Sequence, residues 1–168
     1  MASFGTGTGS HLCAEMFKMM TGVQINHVPY RGSAPMLTDL LGGQVQAAFD
    51  NLPASIEYIK AGKLRALAVT TERRTEALPD VPALGEFLAG YEASSWLAVG
   101  APKGTPTEII DALNREIVAG LADSGMRAQL QGQGASVLGG SPAATATLIA
   151  EETEKWAKVV RFSGTKPH

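Results

Sequence analysis

The sequence predicts an α/β fold with a mostly parallel sheet, and two observations carry this prediction. Over about the first hundred residues, short apolar runs typical of strands alternate with segments whose apolar side chains recur at helical spacing. The connections between these segments are short. Strands and helices that alternate through short connections form right-handed crossovers, and such crossovers place successive strands parallel.

Capping residues, prolines and glycines indicate where the helices begin and end. The first helix is expected from Ser10, which can cap its start, to Thr21. Further helices are predicted at 35–41, 53–61, 106–121, 124–132 and 142–160. Strands are predicted at 24–28, 45–49, 65–70 and 94–99, with the first one broken at Pro29.

The composition is that of an ordinary globular protein. Of 168 residues, 45% are hydrophobic and 18% are charged, and the formal net charge is −2. This balance provides no basic surface to attract nucleic acid, so we expect no nucleic-acid partner. Any anion that the chain binds must therefore be held by local contacts.

Residues suited to catalysis are sparse. Cys13 is the single cysteine, which excludes an internal disulfide and a thiolate zinc cluster, and its apolar neighbours predict a buried side chain. The sequence motifs of serine hydrolases and zinc peptidases are absent. We therefore expect no catalytic residue, no metal site and no cofactor. The alternative is a small enzyme that uses Ser10 or His11 on a phosphate or acyl substrate.

Two features bear on targeting. Residues 1–4, Met-Ala-Ser-Phe, do not form a cationic, apolar leader, so we expect no signal peptide in this chain. No stretch of about 18 consecutive apolar residues occurs, and we expect no membrane-spanning helix.

A glycine-rich segment, Gly5–His11, stands immediately before the first predicted helix. Its backbone N–H groups are expected to point outward at the helix N-terminus, where the dipole favours negative charge. It is not a dinucleotide-binding fingerprint, because Ser10 occupies the position of the third glycine, and it lacks the Lys-Ser/Thr pair of a P-loop. An anion site and a plain flexible terminus both remain open on this evidence.

Two more strand-to-helix junctions carry similar features. Gly32, Ser33 and Ala34 would place two or three amides at a helix start, and Asp50 stands at the next junction. An aspartate there is either a helix cap or part of a site. All three junctions are expected on the same side of a parallel sheet, where open α/β folds bind their ligands.

Ordered sequence segments along nearly the whole chain resemble one known family. They include 7–12 (Gly-Thr-Gly-Ser-His-Leu), 27–32 (His-Val-Pro-Tyr-Arg-Gly), 37–45, 49–51 (Phe-Asp-Asn), 62–70, 78–82, 91–96, 101–106 and 155–160. These segments resemble the receptors of the tripartite tricarboxylate transporter family, the Bug or TctC-type periplasmic solute-binding proteins.

The resemblance implies a type II periplasmic-binding-protein-like fold of the Venus-flytrap kind. Residues 1–92 would form the second lobe, an α/β domain that binds ligand. Residues 93–168 would supply the hinge strand and the C-terminal helices of an incomplete first lobe, because the family's N-terminal lobe has no counterpart here. One carboxylate-binding loop would match Thr8, Gly9, Ser10 and His11. A second would match Gly32, Ser33 and Ala34, with Asp50 facing the ligand or organising water.

The function implied is extracytoplasmic binding of a small organic anion, a di- or tricarboxylate or an amino acid. The receptor would deliver it to membrane transporter subunits, and its location would be periplasmic. A structural or assembly role without ligand binding is the alternative for a chain of this length. We also expect apolar positions of the C-terminal helices to be covered either by folding back onto the second lobe or, preferably, by pairing into a homodimer.

Overall fold

The computed structural model describes residues 1–165, and within them helices dominate over a small parallel sheet. Every predicted helix is confirmed, with ends shifted by three residues or fewer. The helices are α1 (Gly9–Thr21), α2 (Ser33–Leu41), α3 (Leu52–Lys60), α4 (Thr107–Ala122), α5 (Ser124–Gly132) and α6 (Pro142–Ser163), with one turn of 3-10 helix at Leu84–Glu86. Residues 166–168 of the predicted second segment lie outside the described residues.

The sheet is parallel, as predicted. Strand β1 (Ala2–Ser3) pairs with β2 (Val28–Pro29), with Ala2 opposite Val28 and Ser3 opposite Pro29. On its other side, β1 makes a single parallel bridge from Ala2 to Ala48. The β1 backbone is therefore paired on both edges, and its residues are fully buried.

The predicted strands are longer than the observed ones. Pro29 does not break β2, because the N–H donors that face β1 belong to the residues on either side of it. The predicted strand at 45–49 is reduced to the bridge at Ala48, and the one at 65–70 to a bridge between Val69 and Ala83. The strand predicted at 94–99 is wrong, since these residues find no partner strand in the described chain. An apolar pattern can indicate that a segment is extended, but it does not show whether a second strand lies beside that segment.

The larger apolar core joins the two ends of the chain. It contains Cys13 and Met16 from α1, Tyr91 and Ala93 from the long connection, and Val159 from α6. Tyr91 is almost fully buried, and its hydroxyl donates a hydrogen bond of 2.9 Å to the backbone carbonyl of Cys13. The C-terminal half of α6 thus folds back onto α1.

A smaller core lies under the sheet and positions the start of α2. It is formed by Ala2, Met36, Leu37 and Val45. Met36 is fully buried, which ties the first turns of α2 to strand β1. This core therefore fixes the start of α2 relative to strand β1.

Helices α4 and α5 pack mainly against each other and contain no fully buried residue. Ile109 and Leu113, one turn apart on α4, are both 48% exposed. Leu97 and Val99 are also exposed, in the segment that lacks a partner strand. Apolar side chains in the C-terminal half thus remain in contact with water.

The packing of α6 on α1 can be tested with Val159→Ala. Removing two buried methyl groups should lower the free energy of unfolding by roughly 2 kcal/mol. Urea denaturation followed by circular dichroism measures the change. Lys158→Ala is the matched control, because Lys158 is exposed on the same turn and its truncation should change stability by less than about 0.5 kcal/mol. Equal effects of the two variants would contradict the docking of α6.

Candidate anion-binding site

The three junctions predicted from the sequence meet around Phe4, the residue that follows β1. Phe4 N–H donates to Ser10 Oγ at 3.3 Å, and the Phe4 carbonyl accepts from Gly32 N–H at 3.1 Å. Ser10 Oγ in turn donates to the Phe49 carbonyl at 2.6 Å. These bonds link the starts of α1 and α2 to the residue before Asp50.

The start of α1 differs in detail from the prediction. The N-cap is Thr8, not Ser10, and its hydroxyl donates to the Gly5 carbonyl at 2.7 Å instead of capping the helix. Ser10 lies inside the first turn, buried, with its hydroxyl committed to the Phe49 carbonyl. The Ser10 side chain is therefore a structural bridge, and only its backbone N–H is left for a ligand.

Two amides of the glycine-rich segment are hydrogen-bonded within the protein. The sequence predicts that the N–H groups of Gly5–His11 point outward, but Gly5 N–H donates to Ser3 Oγ at 3.3 Å and Gly7 N–H donates to His11 Nδ1 at 3.1 Å. Both are satisfied inside the protein. The prediction is wrong for these two amides, because their acceptors are side chains two and four residues away whose orientation the glycine spacing does not specify.

The first-turn amides of α1 differ from those of Gly5 and Gly7. Among the described residues, the N–H groups of Gly9, Ser10 and His11 have no hydrogen-bond acceptor. A helix N-terminus without a side-chain cap carries partial positive charge and unsatisfied donors. The His11 ring, however, is buried against the protein, so its imidazole does not face a ligand at this helix start.

The start of α2 presents the second group of donors. Gly32 is the N-cap with φ 113°, a conformation that favours glycine, and it makes no side-chain cap. Ser33 and Ala34 follow in the first turn, where their N–H groups have no acceptor among the described residues. Pro35 lacks an N–H altogether. Two amides, those of Ser33 and Ala34, thus have no hydrogen-bond acceptor in the described chain.

Asp50 connects this helix start to the third junction. Its Oδ1 accepts from Ser33 Oγ at 2.7 Å, whereas Oδ2 is buried without a hydrogen-bond partner in the described chain. Burial raises the pKa of this carboxyl, and the hydrogen bond from Ser33 opposes that effect. Asp50 does not cap α3, since the N-cap is Asn51 and makes no side-chain cap.

One residue near the site was not identified from the sequence. A side-chain carbon added at Gly9 would lie 2.9 Å from Ser95 Oγ, so that hydroxyl lies directly against the start of α1. Ser95 is exposed and belongs to the unpaired segment after Ala93. The only sequence signal was its position in the Ser-Ser-Trp motif, because no periodicity links it to Gly9.

Of the two candidate nucleophiles, the Cys13 thiol is unreactive and the Ser10 hydroxyl is hydrogen-bonded to the backbone. Burial raises the pKa of Cys13 to about 12, so its thiolate is scarce at neutral pH. The Ser10 hydroxyl hydrogen is directed to a backbone carbonyl, not to an imidazole. Within residues 1–165, no cluster of three metal-binding side chains occurs, and no helix is long and apolar enough to cross a membrane.

Comparisons with known proteins agree with this architecture. The family model for the tripartite tricarboxylate transporter family receptor matches residues 1–164. The chain belongs to this family. Protein BugT of Bordetella pertussis is 44% identical over 163 residues, which cover 95% of this chain and 49% of BugT.

Solved structures give the same result. An R. palustris protein with adipate is 44% identical, with a TM-score of 0.88 over 99% of this chain and 57% of that one. MatC from Rhodopseudomonas palustris with bound malate is 29% identical, with a TM-score of 0.83 over 95% of this chain and 56% of MatC. The fold is thus that of the family's periplasmic binding proteins. The chain spans about half the length of each of these three relatives.

The environment of Asp50 makes a pH-dependent prediction. Its raised pKa means that the folded state holds this proton more tightly than the unfolded chain does. Asp50 therefore favours folding below its unfolded pKa, near 4, and this contribution is lost as the pH rises through the higher folded value.

Asp50→Asn should remove this pH dependence and raise the free energy of unfolding at pH 7 relative to the wild-type chain. Urea denaturation between pH 4 and pH 7 measures the difference between the two proteins. Asp111→Asn, an exposed change on α4, serves as the control and should leave the pH profile unaltered. A wild-type profile that Asp50→Asn does not alter would refute this assignment.

Proposed function

We propose that this chain binds a small organic carboxylate through the backbone amides at the starts of α1 and α2. The observation that carries the proposal is the pair of uncapped helix N-termini tied together at Phe4. Each presents adjacent N–H donors that have no acceptor among the described residues. A carboxylate oxygen supplies the missing acceptor and the negative charge that the helix dipole favours.

The ligand residues of this proposal are those predicted from the sequence, with their roles refined. Gly9, Ser10 and His11 contribute free N–H groups at the first helix start, and Ser33 and Ala34 contribute them at the second. Thr8 and Gly32 shape the two helix starts, since their own N–H groups donate to the carbonyls of Gly5 and Phe4. Ser95 adds a hydroxyl near Gly9. Apart from the buried His11 ring, none of these residues has a cationic side chain, so their contribution to affinity is that of charge-assisted hydrogen bonds, each worth about 1.5–3 kcal/mol.

Asp50 would face the ligand as an acid or as an organiser of water. Its buried Oδ2 has no partner among the described residues, and its raised pKa favours the protonated form more than in water. A protonated carboxyl donates a hydrogen bond to an anion, whereas an ionised one would repel it. The proposal therefore assigns Asp50 to the recognition of a carboxylate or of a water bound to it.

Dicarboxylates are the first candidates for the ligand. The related R. palustris structure holds adipate and MatC holds malate, both with two carboxyl groups. Two separate helix starts match two carboxylates, one at each end of such a molecule. By family membership, we further propose a periplasmic location and delivery of the ligand to membrane transporter subunits.

The hydrogen bonds of Ser10 and His11 favour a binding protein over an enzyme. A hydrolase built on Ser10 or His11 would need a base that reaches the serine hydroxyl. Ser10 Oγ donates instead to the Phe49 carbonyl, and His11 Nδ1 accepts from Gly7. We therefore propose a receptor and not an enzyme. A purely structural role is the alternative, and the ligand experiment below separates the two.

Gly9→Ala is designed to block the first helix start. The added carbon would meet Ser95 Oγ at 2.9 Å and so displace the hydroxyl from the site. With adipate at about 100 times its dissociation constant, the wild-type chain should gain roughly 2.7 kcal/mol of stability. The variant should lose most of that gain. Thermal denaturation with and without adipate, malate and succinate measures both effects.

Gly120→Ala is the matched control. Gly120 lies in α4 with open space where the added carbon would stand, so this variant should respond to ligand as the wild type does. A wild-type melting temperature that none of the three dicarboxylates changes would reject the binding role and favour the structural one. A response that Gly9→Ala leaves intact would place the ligand elsewhere.

We also propose that isolated chains pair through the exposed apolar side chains of the C-terminal half. Fold-back covers only the C-terminal part of α6, and Leu97, Val99, Ile109 and Leu113 stay exposed. Such side chains favour burial by about 25 cal/mol per Å². A symmetric pair can cover them with a second copy of the same surface.

Leu113→Lys tests this pairing. The wild-type chain should scatter light as a dimer at low micromolar concentration, and the charged variant should be a monomer, because pairing would bury an uncompensated ammonium group. Ala119→Lys adds the same charge at another exposed position of α4 and should leave the dimer intact. A monomeric wild-type chain with a cooperative melt would exclude pairing.

A further inference from the structure

Two imidazole rings, those of His11 and His27, stack beside the glycine-rich segment. Their centroids are 4.1 Å apart and their planes differ by 15°. His11 is buried in the first turn of α1, and His27 is half-buried just before β2. Backbone amides can bind a carboxylate without such a pair, so the stacked rings serve another purpose.

Both rings hold the glycine-rich segment. His11 Nδ1 accepts from Gly7 N–H at 3.1 Å, which requires the neutral tautomer with its proton on Nε2. His27 Nε2 lies 2.6 Å from Ser3 Oγ, and that hydroxyl accepts from Gly5 N–H at 3.3 Å. One ring therefore reaches the segment directly, and the other reaches it through Ser3.

The charged groups around the pair come mainly from α1. Glu15 Oε1 lies 3.7 Å from His11 Nε2 and is itself paired with Lys18 Nζ at 2.7 Å. Burial is the main influence on both rings and lowers the pKa of each. Glu15 opposes this effect, whereas Lys18 adds to it, as do His11 and the Met1 ammonium group in the case of His27.

We propose that His11 and His27 act as a pH-dependent clamp on the glycine-rich segment, in which protonation of His11 frees Gly7 and weakens anion binding at the start of α1. This inference rests on the proposed carboxylate-binding function. His11 is a positioning residue in it, because its ring holds the backbone that leads into the helix and does not touch the ligand.

The two rings respond differently to a proton. A proton on His11 Nδ1 turns the acceptor of Gly7 N–H into a second donor, so the contact is lost. A proton on His27 Nε2 lets that nitrogen donate to Ser3 Oγ, so its contact survives. Protonating both rings would also place two cations face to face about 4 Å apart, which is unfavourable. His11 is therefore the sensitive member of the pair.

The direction of the pH effect follows from linkage. A histidine whose pKa is lowered by folding binds protons more readily in the unfolded chain. Its contribution to stability is complete above the unfolded value, near 6.5, and is lost as the pH falls through the lower folded value. Acid conditions should therefore loosen the segment first and, through it, the anion site.

The matched variants are His11→Asn and His11→Gln, each in the 168-residue chain. Asparagine places a non-titrating acceptor near the position of Nδ1, whereas glutamine places its amide nearer that of Nε2. Adipate affinity is measured by calorimetry between pH 5 and pH 8. In the wild-type chain, the dissociation constant should rise by up to about tenfold for each pH unit below the pKa of His11. His11→Asn should lack this dependence, and His11→Gln should bind weakly at every pH.

Ionisation of adipate itself affects all three proteins equally, so the difference between their profiles isolates His11. Equal pH slopes for wild type and His11→Asn would overturn the clamp. If adipate binds at no pH, the proposed function fails, and the clamp is then tested on the ligand-free chain. In that case the amide resonances of Gly5 and Gly7 should follow the titration of the His11 ring by NMR. Gly7 resonances that stay unchanged while His11 gains its proton would also refute the clamp.

Discussion

The Ser10 hydroxyl, held between Phe4 N–H and the Phe49 carbonyl, is the interaction on which the site depends. It joins the end of β1, the first turn of α1 and the residue before Asp50 in a buried environment. Strand β1 has only two residues, so its backbone hydrogen bonds alone could not fix the three strand-to-helix junctions relative to one another. A buried hydroxyl that satisfies one donor and one acceptor does so at little cost, because neither backbone group is left unpaired.

Helix α1, which carries Ser10, buries apolar side chains on one face and polar side chains on the other. The apolar core around Met16, Tyr91 and Val159 docks α6 on one face of α1. The other side of the same helix buries His11 and Glu15, both less than a tenth exposed. Apolar burial supplies stability, while the polar contacts fix the glycine-rich segment in one conformation. Helices α4 and α5 take part in neither and keep apolar side chains exposed.

Sequence reasoning identified the helix starts but only part of what they do. Gly32, Ser33 and Asp50 were selected from their junctions, and the structure brings them together through the Ser33–Asp50 hydrogen bond. Gly5 and Gly7 were expected to offer free amides, yet Ser3 and His11 accept them. Ser95 was missed because glycine, proline and cap signals act within a few residues, whereas Ser95 meets Gly9 across more than eighty positions of the chain.

The sequence by itself determined the helices, the parallel arrangement and the family, because helical periodicity, capping residues and ordered motifs are local properties. The tertiary structure alone decided how long each strand is, since a strand exists only where a second backbone accepts its hydrogen bonds. It also decided which amides remain free at the site and that His11 stacks on His27. These outcomes depend on the orientation of neighbouring side chains and on the approach of separate segments such as those of His11 and His27, and a one-dimensional pattern encodes neither.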